Sequence, residues 1–240
     1  MDTDGRPWAS VVKPELAWHQ EDGVWVPDPT PAVTGLNEKY QRFYNRVAWA
    51  YDLWEIVYAG LTHGGRDNAR AELLKNLRVK PGDKVLEVSI GTGVNLRYLP
   101  TEATYFGVDV SRGMLRQAVR KLPKWKRQAT LFFGVAEQLP FRDGVMDVTY
   151  HIGGLNFFQN PHKAVAEMIR VTRSGGFVMY GDETEQMIRQ SYKKTPFVKR
   201  HYDVGEGELP SPMSWLPSGL QASYEVVLKG NFYLVSFLKP

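Results

Sequence analysis

Val85-Leu86-Glu87-Val88-Ser89-Ile90-Gly91-Thr92-Gly93 decides the reading of this chain. Four apolar-rich residues end on an acid, and a loop of small residues follows. The pattern is that of a buried parallel strand opening into a glycine loop and a helix over 94–99. Small residues there let a ligand approach the backbone, and a helix start points amide hydrogens at it. A dinucleotide loop wants a third glycine three residues after the second. Position 96 is Leu. An acid four residues before Gly91 suits a cofactor bearing an ammonium and a sulfonium better than a pyrophosphate.

Working outward, strands and helices alternate. Strands are expected at 84–88, 104–108, 130–134, 147–151 and 177–180, with helices at 94–99, 112–122 and 162–172 between them. This alternation marks a parallel sheet with helices on both faces. The end differs: 225–229, a Gly230-Asn231 turn and 232–238 read as a hairpin, an antiparallel addition at one edge. Ser174-Gly175-Gly176 reads as the turn into the fifth strand.

Upstream, residues 37–78 read as two helices. Tyr40, Phe43, Tyr44, Val47, Ala48 and Tyr51 recur at spacings of three and four on the first, and Ala69, Leu73, Leu74 and Leu77 mark the second. Residues 1–36 read as an irregular arm broken by prolines, with Trp8, Trp18 and Trp25 expected to pack on the body or on a second copy, so that a homodimer through the arm is one expectation. The stretch 24–26 is the arm's candidate strand. The catalytic domain is expected over 37–240, its first two helices covering the active site.

Composition narrows the field. The chain has 240 residues, 43% hydrophobic, a net charge of +4 and no cysteine. That excludes disulfides, thiolate metal sites and a cysteine nucleophile, and no metal site is expected. No apolar run reaches the length of a membrane-spanning helix. The acidic start Met1-Asp2-Thr3-Asp4 lacks the apolar core of a secretory signal, so the cytoplasm is the expected compartment. Two basic clusters, Arg120 to Arg127 and Arg189 to Arg200, raise a phosphate-bearing or RNA substrate as an alternative. Against a nucleic-acid partner, no Asn/Asp-Pro-Pro-Tyr/Phe signature follows the fourth strand, which reads Tyr150-His151-Ile152-Gly153.

Three more features carry chemistry. Asp109 ends the second strand, where an acid in a nucleotide-binding βαβ unit accepts hydrogen bonds from ribose hydroxyls. Ser111 is placed to cap the next helix, which leaves Asp109 for a ligand. Past the third strand, Gly134-Val135-Ala136-Glu137-Gln138-Leu139-Pro140-Phe141 makes a tight loop suited to a flat purine. Of five histidines, only His151 sits at the carboxyl end of an expected strand, where open α/β sheets bind ligands.

In this order and spacing the motifs, with the later Arg170-Val171-Thr172-Arg173-Ser174-Gly175-Gly176, resemble class I S-adenosylmethionine-dependent methyltransferases of the methyltransferase-11 type, similar to the ubiquinone/menaquinone-biosynthesis enzymes. The resemblance covers roughly residues 40–238. It implies a Rossmann-like doubly wound α/β sheet of seven strands, order 3-2-1-4-5-7-6 with strand 7 antiparallel. It also implies S-adenosylmethionine as cofactor and a small-molecule acceptor, aromatic or lipid-like. A non-methylating relative that keeps the cofactor, as a binding protein or cyclase, is a further alternative.

The resemblance implies roles as well. Glu87, Ser89, Gly91 and Gly93 would seat the methionine portion, and Asp109 the ribose. Val110 and Met114 would flank the adenine, and Ala136 and Glu137 would touch its edge. His151 and Ile152 would lie beside the transferred methyl, with His151 the candidate base. Tyr51 would close over the cofactor, while Tyr40, Tyr44, Phe157 and Phe158 would line the acceptor pocket. Two positions depart from the family: Ser89 replaces the usual first glycine, and Val135 replaces an Asp that often holds the adenine amino group.

Overall fold

A computed structural model describes residues 6–49, 66–194 and 209–240. Its centre is β3 (Lys84–Val88), buried from Val85 to Val88 because the sheet is covered on both faces. β4 (Thr104–Asp109) pairs with it in parallel on one side, and β6 (Met146–Ile152) on the other. β5 (Thr130–Phe133) joins β4, and β7 (Thr172–Glu183) joins β6, both parallel.

Beyond β7 the sheet turns antiparallel. β9 (Phe232–Leu238) pairs with β7, and β8 (Ser223–Val227) with β9. The connection between β8 and β9 is short, which permits only the antiparallel direction.

One face of the sheet is covered by α2 (Arg66–Leu74) and α3 (Arg112–Lys121), through Ala69, Leu73, Leu115 and Ala118. The other is covered by α4 (Pro161–Val171), through Ala164, Val165 and Met168. α1 (Gly35–Val47) lies against α3, and α5 (Glu185–Lys194) follows β7.

Three expectations are corrected. The sheet has nine strands, not seven, in the order β1-β2-β5-β4-β3-β6-β7-β9-β8. The two extra strands come from the arm expected to be irregular: β1 (Ala17–Glu21) and β2 (Val24–Asp28) form a hairpin, and Trp25 of β2 pairs in parallel with Phe132 of β5. The prolines do not prevent this, since Pro27 is tolerated close to the sheet's edge, where a missing donor is affordable. Trp8 packs on Trp18, Trp25 and Phe132 at centroid distances of 5.5, 4.5 and 5.4 Å, so the arm packs its tryptophans on its own sheet, with Trp8 buried and the other two half-buried.

The segment after the glycine loop is a 3-10 turn over Val94–Tyr98 rather than an α-helix. The fifth parallel strand is joined to Thr172 through Ser174-Gly175-Gly176, and its continuous parallel pairing with β6 begins at Phe177, after that stretch as expected. Gly175 donates to the Lys239 carbonyl and Lys239 to the Gly176 carbonyl, at 2.8 and 2.9 Å. Gly175 nevertheless stands at a left-handed φ of +70°, and the β6–β7 register slips between Thr172 and Phe177, so this stretch bulges out of the sheet.

Candidate functional site

Glu87 stands on the penultimate position of β3, only 2% exposed. Its carboxylate accepts from Tyr150 Oη at 2.7 Å and from Asn95 Nδ2 at 2.6 Å. Asn95 Oδ1 in turn accepts from Arg70 Nη1 of α2 at 3.0 Å. Burial pushes the Glu87 carboxyl up to about 7, against the two donated hydrogen bonds. Sequence reasoning missed Tyr150, Asn95 and Arg70. Tyr150 lies beside Glu87 only through the β3–β6 register.

The loop that follows needs left-handed backbone at alternate residues. Ser89, Gly91 and Gly93 have φ of +57°, +56° and +76°. Two glycines meet the demand without strain, and Ser89 meets it at a cost, because its Cβ crowds the backbone there.

Asp109, at the end of β4, was expected to be left for a ligand. Both its oxygens are already engaged: Oδ2 accepts from Gly91 N at 2.8 Å and Oδ1 from Ser111 N at 2.7 Å. Each carboxylate oxygen keeps a further lone pair. Burial raises this carboxyl to about 6. Ser111 does cap α3, accepting from Met114 N at 3.2 Å.

Glu137 sits past β5, with both oxygens accepting from Asn37 Nδ2 of α1 at 3.0 Å and Oε1 also from Asn160 N at 3.2 Å. Asn37 opens a stripe on α1 that the apolar pattern did not show. Gln41 Nε2 donates to the Val110 carbonyl at 2.8 Å, and Asn45 Oδ1 accepts from Gly113 N at 2.7 Å. Residues spaced by four lie on one helix face. Three amides therefore tie α1 across the carboxyl ends of β4 and β5. The signal was in the sequence as Asn, Gln and Asn at a period of four.

These elements enclose a cleft of about 830 Å³ of open space. Of the expected residues, Glu87, Ser89, Gly91, Asp109, Val110, Met114 and Ile152 line it, with Tyr40, Tyr44 and Phe158. A smaller adjoining hollow shares Ser89, Asp109 and Val110 and adds Ala136 and Glu137. Gly93 lies under the loop, behind the lining. Tyr51 lies outside the described residues, as does the Phe157 side chain.

His151 does not join the lining. Its ring is fully buried and lines neither hollow. Strand alternation is the cause: Tyr150 and Ile152 face one side of β6, and His151 the other. Nδ1–H donates to the Val88 carbonyl at 2.9 Å, and Phe158 packs edge-on at 5.1 Å. Burial lowers this imidazole to about 4, so the ring is neutral at pH 7.

Residues 86–180 match the Methyltransf_11 family model, a methyltransferase domain. The chain carries a methyltransferase domain. That domain runs from β3 to β7 and holds Glu87, the glycine loop, Asp109 and Glu137. The demethylmenaquinone methyltransferase of Mycobacterium tuberculosis strain H37Rv is 34% identical over 156 residues, which is 63% of this chain and 62% of that protein. The chain thus spans less than two thirds of the length of this curated relative.

Two solved structures share the methyltransferase domain's fold. Haemonchus contortus phosphoethanolamine N-methyltransferase 2, in complex with S-adenosyl-L-methionine, superposes with a TM-score of 0.61 at 16% identity, covering 90% of this chain and 62% of that one. The [4+2]-cyclase SpnF gives 0.53 at 20% identity, covering 63% and 61%. No helix among the described residues is long and apolar enough to cross a membrane.

Proposed function

We propose that the protein transfers a methyl group from S-adenosylmethionine to a small planar acceptor, a hydroquinone-like aromatic ring in the manner suggested by the name of its M. tuberculosis relative. The observation that carries this reading is the pair of buried carboxylates, Glu87 and Asp109, on one floor beside the glycine loop. Both are pushed up by burial, so ionising both without a cationic ligand is costly. A ligand with an ammonium and a ribose diol relieves that cost. Glu87 would take the ammonium, and the second lone pairs of Asp109 the ribose hydroxyls. Glu137, already oriented by Asn37, is the acceptor nearest the adenine edge that can stand in for the Asp replaced by Val135.

The cofactor, when bound, supplies a methyl already activated on sulfonium. The chain has to align the acceptor and keep water out. Tyr40, Tyr44 and Phe158 supply apolar walls for both tasks. His151 acts from behind: its bond to the Val88 carbonyl ties β6 to β3 beneath the cleft. The arm packs on its own sheet, so a dimer through it would use the outer edge of β1. The cytoplasm is the compartment that suits such a substrate-level enzyme.

Titration calorimetry with S-adenosylhomocysteine tests the reading. Micromolar binding is the expected result, and absence of binding would sink it. A second reading, a cofactor-binding relative without methyl transfer, is favoured by the burial of His151 and by the fold shared with SpnF. Conversion of S-adenosylmethionine to S-adenosylhomocysteine with a 1,4-dihydroxynaphthalene acceptor separates the two.

A further inference from the structure

Asp182 is a buried carboxylate that the proposed chemistry does not use. It is the penultimate residue of β7, 2% exposed and two strands from Glu87. Its Oδ1 accepts from Gly154 N at 3.0 Å and Glu183 N at 2.8 Å, and its Oδ2 from Asn156 N at 2.7 Å. All three donors are backbone amides, and two of them belong to the loop after β6. Asn156 tightens the same loop, donating from Nδ2 to the Glu183 carbonyl at 3.1 Å and accepting from Tyr233 Oη at 3.3 Å. Gly153 N donates to the Gly181 carbonyl at 2.9 Å.

The loop so fixed is unusual in one respect. Gly153 and Gly154 line the cleft next to Ile152. Their φ angles are +85° and +100°, and a Cβ placed on either would meet nothing among the described residues within 4 Å. The left-handed backbone accounts for glycine at both positions, and no side chain among the described residues crowds them. What the pair provides is a bare stretch of backbone at the cleft wall, held still by a buried carboxylate.

We propose that Gly153 and Gly154 form a flat shelf for the face of a planar acceptor, and that Asp182 is the positioning residue that fixes the shelf. This deepens the methyltransferase reading and rests on it. The shelf makes flatness the selected property. A planar ring lies against peptide planes with nothing to clear, whereas a puckered ring of the same size touches at few points. Asp182 acts at second hand, since a carboxylate accepts in all directions from three converging amides. An asparagine at 182 has to aim its own NH2 at one of those amide sides.

The test uses the full chain saturated with S-adenosylhomocysteine, and calorimetry with 1,4-dihydroxynaphthalene and its fully saturated decalin-1,4-diol analogue. The wild type is expected to bind the planar probe at least about tenfold more tightly than the puckered one, a difference of one well-placed contact set. Asp182→Asn is expected to erase that preference while its affinity for S-adenosylhomocysteine stays within about twofold. Gly153→Asn, which suits left-handed backbone and projects a side chain over the shelf, is expected to do the same.

Equal wild-type affinity for the two probes overturns the shelf. Retained preference in both variants overturns the roles of Asp182 and Gly153. If Asp182→Asn fails to fold, as read by its thermal midpoint, Gly153→Asn alone decides. Loss of S-adenosylhomocysteine binding by the wild type would instead strike the methyltransferase reading itself.

Discussion

The floor and the roof of the cleft are built by different means. The floor is Glu87, the 89–93 loop and Asp109, set on adjacent strands and locked by backbone amides and a buried tyrosine. The roof is α1, tied down by the side-chain amides of Asn37, Gln41 and Asn45. The floor's geometry follows from strand pairing, which fixes each Cα. The roof's geometry follows from three long side chains, each contributing about 1 kcal/mol net. The comparison teaches that ligand chemistry is assigned to the rigid layer and access to the adjustable one.

The largest effect expected is on the floor. Asp109→Asn places an NH2 against Gly91 N or Ser111 N, so the variant loses both a charge and an amide partner. Affinity for S-adenosylhomocysteine should fall by about 100-fold in calorimetry, the scale of a buried charged hydrogen bond. A fall below about threefold would put Asp109 outside the ligand's reach.

Next comes pH. Glu87 keeps its proton up to about pH 7, and the ligand's ammonium needs the ionised form. S-adenosylhomocysteine affinity should be full above pH 7 and weaken by up to about tenfold per unit below it. Asp109, at about 6, steepens the fall at lower pH. The free protein should move the opposite way. The folded carboxyl lies above its unfolded value of 4.5, so the native state holds the proton longer, and stability drops as pH rises from about 4.5 through 7. Glu87→Gln should flatten both curves, and curves that keep their shape in that variant would break the assignment.

The roof should respond less. Asn37→Ala leaves Glu137, among the described residues, with only the Asn160 amide as a hydrogen-bond donor and should cost about 1–2 kcal/mol of local stability. Faster amide hydrogen exchange in α1, with exchange in β3 and β4 unchanged, is the expected signature. Uniform acceleration across both regions would show that roof and floor are one unit after all.

The smallest effect should be a gain. Ser89→Gly removes a left-handed non-glycine residue, and relief of that strain should stabilise the chain by about 0.5–1 kcal/mol, or a few degrees in Tm. A loss of stability would mean that the Ser89 side chain does more than tolerate its conformation.

The sequence by itself determined the floor. Apolar runs near Glu87 and Asp109, with Gly91 between, are local signals read from short apolar stretches and fixed spacings, and the structure brings these three residues to one cleft. The alternation of strand and helix likewise determined the doubly wound core, because each strand buried on both faces needs helices on both sides. Other features depended on partners distant in sequence. Trp25 joins the main sheet by pairing with Phe132, over a hundred positions away, whose ring packs against Trp8 and Trp18. Tyr150 reaches Glu87 through register, and Asp182 reaches Gly154 and Asn156 through the order of β6 and β7. His151 looked like a base because it ends a strand, yet a strand shows its residues to alternate sides. Only the assembled sheet decided which side faced the cleft, since facing is a property of neighbouring strands and not of the residue.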